Sequence, residues 1–160
     1  MERQLSAMID DPQSEVNLLN EQGITTVFSS YGSGLRLWGN RTAAWPTVTH
    51  MRNFENVRRT GDVINESIRY FSQQYIDMPI TQALIDALTE SVNAYGRKMT
   101  GDGAVLGFRC WFDPARNPET ELAAGHLLLS YKYTPPPPLE RLTFETEITS
   151  EYLLTLKGGN

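Results

Sequence analysis

The chain has 160 residues, 40% of them hydrophobic, which is enough for one domain with its own core. Its net charge of −5 and mixed-sign charges argue against a nucleic-acid-binding protein, because phosphate contacts need a basic stripe. The only cysteine, Cys110, excludes an internal disulfide and any zinc site that needs two thiolates. The polar N-terminus has no signal-peptide core, and no later run approaches about 18 apolar residues, so we expect no membrane insertion.

The first half of the chain predicts an extended entry, two short strands and a long helix. Residues 1–23 are polar and have no sustained period, whereas residues 24–30 and 35–40 are typical of short strands. From Phe54 to Tyr75 apolar residues recur every three or four positions, which predicts an amphipathic helix. Gly61 lies on that apolar seam, so we expect a close approach to the layer beneath it.

The second half predicts another helix followed by strands. Pro79 suits a helix start, and apolar spacing then continues to Tyr95 before a glycine-rich end near residues 96–103. Residues 105–112 indicate a buried strand. Residues 117–125 predict a short helix, with Asn117 as its N-cap and Gly125 as its terminator, and residues 126–134 predict a strand.

Four consecutive prolines, residues 135–138, separate that strand from a further alternating segment. Proline favours polyproline II, so the four span roughly 12 Å as a stiff rod and cannot form a tight hairpin turn. After them, apolar and polar residues alternate from Leu142 to Thr149, which predicts a half-buried strand. We expect the rod to carry this strand away from its own domain.

The order of elements predicts an α+β fold, in which two long helices are packed on a mainly antiparallel sheet and an extended β arm follows the polyproline segment. We divide the chain into an N-terminal extended region (residues 1–23), an α+β core (residues 24–134) and a C-terminal arm (residues 135–160). No internal repeat indicates a second domain.

The sequence contains no local signature of catalysis or metal binding. His50 and His126 have no accompanying nucleophile or metal-ligand motif, and Cys110 lies in an apolar strand where a thiol usually packs as a small hydrophobe. The carboxylates on the helices have the spacing of solvated surface. We therefore expect no catalytic residue, no cofactor and no metal, and a small hydrolase or ligand-binding domain with a pocket beneath residues 96–103 is the rival hypothesis.

Three segments carry a resemblance to a known family. They are "LRLWGNRT" (35–42), "VLGFRCWFDPARNPETELAAGHLLLSYKYTPPPPLERLTF" (105–144) and "EITSEYLLTL" (147–156). In this order they resemble the C-terminal part of the sheath protein of contractile-tailed bacteriophages. The resemblance covers nearly the whole chain.

This resemblance implies a structural, non-enzymatic subunit of the virion tail, which assembles in the host cytoplasm. Such subunits stack in rings around a tail tube and contract to drive genome ejection. The implied partners are other copies of the sheath protein, the tail tube protein, and baseplate and tail terminator proteins. A phage-tail-like bacteriocin or another contractile injection particle is an alternative that the sequence leaves open.

The resemblance also implies two sets of interaction residues. The C-terminal arm would add a strand to a sheet shared with a neighbouring subunit, which is strand addition through main-chain hydrogen bonds. Its candidate subunit-interaction residues are Leu142, Phe144, Thr146, Ile148, Tyr152 and Leu154. The candidate tube-facing basic residues are Arg58, Arg59, Arg69, Arg97 and Lys98. Because intact sheath proteins are considerably longer, we expect this chain to be a C-terminal fragment or a truncated prophage product.

Overall fold

The computed structural model describes Ile9, residues 11–30, Gly32 and residues 34–153. Within these residues the α-helices are α1 (Glu15–Glu21), α2 (Glu55–Ser72), α3 (Gln82–Gly101) and α4 (Glu119–Ala123). The strands are β1 (Thr26–Ser30), β2 (Gly34–Trp38), β3 (Gly107–Phe112) and β4 (Leu129–Thr134). Single 3-10 turns cover Met51–Asn53, Gln73–Tyr75 and Pro114–Arg116. The predicted α+β class is confirmed.

The strands form two separate antiparallel hairpins, which differs from the single sheet that the sequence predicts. β1 pairs with β2 so that Phe28 lies opposite Arg36, and β3 pairs with β4 so that Cys110 lies opposite Tyr131. Among the described residues, no hydrogen-bonded pairing joins the two hairpins.

The long helices lie against the β3–β4 hairpin, and two glycines allow the approach. At Gly96 of α3 a Cβ atom would lie 2.1 Å from Cδ1 of Phe108, so only a glycine permits this distance between α3 and β3. At Gly61 of α2 a Cβ would lie 2.6 Å from the hydroxyl of Tyr133 on β4. The predicted close approach at Gly61 is therefore confirmed.

The core is small and lies between these helices and the hairpin. Ile64 on α2 and Val105 before β3 are almost fully buried, and Val92 and Cys110 are buried beside them. On the helix-facing side of the hairpin the ring of Phe108 stacks with two tyrosine rings of β4, with centroids 5.9 and 6.2 Å away. Aromatic stacking at these distances stabilises the hairpin beyond simple burial.

Three asparagine side chains bind backbone groups in the interior. Asn53 is fully buried and donates to the carbonyl of Val48 over 2.7 Å. Asn93 accepts from the N–H of Cys110 over 2.8 Å and donates to its carbonyl over 3.0 Å. Asn117 binds both backbone groups of Leu128 in the same way, over 2.7 and 2.9 Å. These amides satisfy buried main-chain groups that no strand reaches.

Asn117 therefore does not cap the short helix as the sequence predicts. Pro118 is the residue before α4, and the Asn117 side chain is directed instead to residues 113 and 128. The second long helix likewise begins later than Pro79 suggests. Thr81 is its N-cap, and the Thr81 hydroxyl accepts from the N–H of Leu84 over 3.2 Å.

Helix α1 lies inside the region that the sequence predicts to be extended. Its N-cap is Ser14, whose hydroxyl accepts from the N–H of Asn17. Val16 is its only buried residue, and its seven residues are too few to show a sustained apolar period. In the part of the chain that the structure covers, no helix is both long and apolar enough to span a membrane.

Candidate subunit interface

The segment after the prolines is exposed and pairs with no strand among the described residues. Residues 141–149 form no hydrogen-bonded strand, so the strand predicted over Leu142 to Thr149 is absent from the single chain, and the segment is not half-buried. Phe144 is 81% exposed and Ile148 is 98% exposed, and Leu142, Thr146 and Tyr152 are exposed as well. Leu154 lies outside the described residues. From here the name arm is kept for residues 141–153, the exposed and described part of the predicted C-terminal arm.

The stretch before the arm lies on its own domain. Pro135 is buried, and the carbonyl of Pro136 accepts from Asn56 of α2 over 3.0 Å. Glu140 then forms an ion pair with Arg41, which follows β2. The prolines therefore cross the surface of the domain instead of projecting from it, and the arm leaves only after Glu140.

The β1–β2 hairpin presents a second exposed apolar surface among the described residues. Val27, Leu35 and Leu37 share one face of the hairpin by their register, and Leu35 and Leu37 are 73% and 79% exposed. The opposite face holds Phe28 and Trp38, whose ring centroids are 5.7 Å apart. An exposed apolar row on a two-stranded hairpin is typical of a surface that another element covers.

The two edges of the β3–β4 hairpin differ. Asn93 occupies both backbone groups of Cys110 in the middle of β3. Among the described residues, no hydrogen bond outside the hairpin reaches the backbone of residues 129–133 in β4. The outer edge of β4 is therefore open to a further strand, whereas the edge of β3 is blocked at its centre.

Most of the candidate tube-facing residues are paired within their own helices. On α2, Arg58 and Arg59 each pair with a carboxylate one turn away. On α3, Lys98 pairs with a carboxylate one turn away and Arg97 pairs with Glu90 two turns away. Arg69 is exposed and has no ion pair among the described residues. Carboxylates at this spacing cancel most of the charge, so this set does not form a free basic patch, and its contact with a tube stays a prediction.

The outer face of the β3–β4 hairpin carries basic side chains that the sequence analysis did not single out. Arg109 and Lys132 are exposed, lie directly opposite each other, and form no ion pair among the described residues. Like charges at opposed positions destabilise a hairpin. The Lys132 ammonium lies 5.9 Å from the ring centroid of Trp111, which offsets part of this repulsion. The single basic residue in the middle of each strand, Arg109 in β3 and Lys132 in β4, was the signal that could have revealed this face.

The structure brings no catalytic group together in its described part. His50 accepts from the N–H of Arg52, and His126 is exposed and bonded to Glu121 over 2.8 Å. Burial raises the pKa of the Cys110 thiol, although a hydrogen bond with the Trp111 backbone opposes the shift, and a raised pKa disfavours a thiolate nucleophile. No cluster of three or more metal-ligating side chains occurs among the described residues.

The cleft of about 860 Å³ between α2, α3 and the β3–β4 hairpin is not the pocket of the rival hypothesis. Its lining is mostly apolar and comes from residues 68–92, 110 and 122–131, whereas the rival hypothesis placed a pocket beneath residues 96–103. The ionisable groups in its lining include Cys110 and Tyr131, and the pKa of each is raised, mainly by burial. Asp77 also lines the cleft, and with their raised pKa values Cys110 and Tyr131 stay protonated near neutral pH.

Comparison with known families decides between these readings. The sequence profile of the family described as "Phage tail sheath C-terminal domain" matches residues 47–149. The chain belongs to this family. The matched range includes both long helices, the β3–β4 hairpin, the prolines and most of the alternating part of the arm, so the resemblance stated from the sequence is confirmed.

Individual relatives agree with this assignment. The tail sheath protein of Burkholderia phage BcepMu is 84% identical over 160 residues, which is all of this chain and 34% of that protein. The tail sheath protein of Escherichia phage P2 is 36% identical over 148 residues, 92% of this chain and 36% of that protein. This sheath-family chain thus spans about a third of the length of these curated relatives.

A solved structure shows the same fold at low sequence identity. The sheath complex of an extracellular contractile injection system, PVC, in its contracted state superposes with a TM-score of 0.73 at 14% identity. The similarity covers 83% of this chain and 39% of that one. At this identity the comparison establishes the fold alone.

Proposed function

We propose that this chain is the C-terminal part of a structural subunit that polymerises around a tail tube and contracts to drive genome ejection. The observation that carries the proposal is the arm, an amphipathic segment whose apolar residues are exposed although its start is held on the domain. An exposed apolar row needs a partner, and the partner in a homopolymer is the next copy of the same protein.

The arm supplies the linkage between subunits by strand addition. Its alternating side chains present Leu142, Phe144 and Ile148 on one face and Glu145 and Glu147 on the other, so its register on an acceptor sheet is defined. The described structure offers the open edge of β4 and the apolar hairpin β1–β2 as acceptor surfaces. The tail tube, the baseplate and a tail terminator are the further partners proposed for the full-length protein.

Electron microscopy of the full-length gene product tests the proposal. We expect helical tubes from the parent protein and no tubes from a variant that lacks residues 141–160, while both proteins stay folded. A matched variant with Leu142 and Phe144 replaced by Ser should also lose tubes, because it keeps the length of the arm but removes its apolar face. Tubes of normal length from either variant would show that the arm does not link the subunits.

The sheath of a bacteriocin or another injection particle is the second candidate. The fold similarity to the PVC sheath complex supports it, because that system is also contractile. Purified particles decide between the two, since a virion carries a DNA-filled capsid on its tail and a bacteriocin-type particle does not.

A further inference from the structure

Several groups besides Glu140 hold the side chain of Arg41. Its guanidinium carbon lies 4.1 Å from the ring centroid of Trp45 and 4.0 Å from that of Phe54, so the planar group is sandwiched between two aromatic faces. One guanidinium nitrogen donates to Oδ1 of the fully buried Asn53. Arginine suits such a site because its flat guanidinium stacks and donates in a fixed fork.

The backbone around Arg41 is fixed as well. Arg41 and Phe54 form an antiparallel bridge, and the N–H of Thr42 donates to the carbonyl of Asn53 over 2.7 Å. The N–H of Glu55 donates to the carbonyl of Asn40 over 2.8 Å, which ties this turn to the start of α2. Because both the backbone and the side chain are preorganised, binding a carboxylate here costs little further conformational entropy.

Glu140 is the last anchored residue before the arm. Its carboxylate binds the second nitrogen of the Arg41 fork, and the side chains of the pair are only 15% and 37% exposed. The previous tertiary hydrogen bond along the chain is at Pro136, to Asn56. Beyond Glu140 every residue from 141 to 153 is exposed.

We infer that Arg41 is the positioning residue of the arm, which holds Glu140 on the domain and so sets the point at which the arm leaves. When the Arg41–Glu140 pair opens, the contact at Pro136 becomes the last one before the arm, and residues 137–140 lengthen the exposed segment that follows it. At about 3.1 Å per residue these four residues add roughly 12 Å of reach. The use of this added reach by subunits that move apart rests on the proposed function, whereas the Arg41–Glu140 anchor does not.

Glu140→Gln tests the anchor in this chain, because it removes the charge and keeps the shape of the side chain. Glu145→Gln is the matched control, since Glu145 is an exposed arm residue without an ion pair among the described residues. We expect backbone ¹⁵N order parameters of Leu139 and Glu140 near about 0.85 in the parent and in Glu145→Gln, and below about 0.6 in Glu140→Gln. The same values in both variants, or flexible residues in the parent, would overturn the inference.

Arg41→Lys tests the role of the aromatic sandwich. Lysine keeps the positive charge but lacks the planar fork, so we expect Leu139 and Glu140 to loosen as in Glu140→Gln. Order parameters like those of the parent would show that charge alone holds Glu140 and that the two aromatic rings do not contribute to the anchor. If Arg41→Lys does not fold, Glu140→Gln still decides the anchor, because it changes a partly exposed side chain.

The link to assembly has its own test in the full-length protein. We expect tubes of Glu140→Gln to grow several-fold more slowly than tubes of Glu145→Gln, because a longer free segment loses more conformational entropy on binding. Equal growth would refute the link between anchor and assembly. Failure of the parent protein to form tubes would refute the proposed function instead, and the order parameters would still report on the anchor.

Discussion

The contact between α3 and β3 makes a sharp prediction for Gly96→Ala. An added Cβ would lie 2.1, 2.4 and 2.8 Å from Cδ1, Cγ and Cβ of Phe108. A rotamer change of Phe108 would move Cδ1 and Cγ but not Cβ, so the 2.8 Å overlap stays and the helix must move away from the strand. Overpacking of this kind costs about 3 kcal/mol, at the upper end of the usual range.

An opposing term comes from helix propensity. Alanine stabilises a helix interior by up to about 1 kcal/mol relative to glycine. The expected net loss of unfolding free energy for Gly96→Ala is therefore about 2 kcal/mol, which lowers the melting temperature by about 4–8 °C in a domain of this size. Gly101→Ala is the matched control on the same helix, because no atom lies within 4 Å of its added Cβ, and it should not destabilise the protein.

Urea unfolding followed by tryptophan fluorescence measures both variants. A double-mutant cycle with Phe108→Ala then isolates the contact. In the Phe108→Ala background only the 2.8 Å contact with the Cβ at position 108 remains, so Gly96→Ala should destabilise clearly less than in the parent, which gives a coupling energy of about 1–2 kcal/mol. If Gly96→Ala is as well tolerated as Gly101→Ala in the parent protein, the close approach of α3 to β3 is wrong.

Four further outcomes follow from the described contacts. Removal of residues 141–160 should leave the melting temperature within about 2 °C, because the arm buries little surface, and a loss of several kcal/mol would contradict the arm assignment. Gly61→Leu should lower the unfolding free energy by about 1–3 kcal/mol in the same urea assay, since it overpacks α2 against β4. An unchanged unfolding free energy would show that Gly61 does not lie on the packed face of α2. Reversing the charges of Arg97 and Lys98 together should leave the fold intact and, if they face the tube, weaken assembly on it; normal tails would exclude this role. Cys110 should react with a thiol reagent at pH 8 only in urea, and, because its pKa is raised above 9.0 in the folded state, stability should fall as pH rises above about 9.

The sequence predicts best where one element has a strong period of its own. The seam from Phe54 to Tyr75 and the apolar runs of β3 and β4 agree with the structure, because their buried faces pack within this chain. Helix α1 could not be predicted in the same way, since Val16 is its only buried residue. The alternation after Leu142 is a real pattern, but no strand of the described residues pairs with it.

The residues that hold the arm depend on contacts that are distant in sequence. Arg41 and Glu140 are 99 positions apart, and no local pattern relates them. "WGNRT" was singled out only by resemblance, without a role for its arginine. Asn117 shows the opposite limitation, because its position before a proline suggests a helix cap, yet its side chain binds residues 113 and 128. Tertiary hydrogen bonds override a local preference that is worth only about 1 kcal/mol.

The side chain of Asn93, which lies on α3, limits which edge of the β3–β4 hairpin can pair with another strand. A strand that arrived along β3 would find the N–H and the carbonyl of Cys110 already bonded, so among the described residues only the β4 edge of this hairpin is left for pairing. If each copy gives one arm to such an edge and receives one, the subunits join into unbranched chains. If the arm links the subunits as proposed, an amide on the neighbouring helix leaves this hairpin a single edge and so disfavours branching through it.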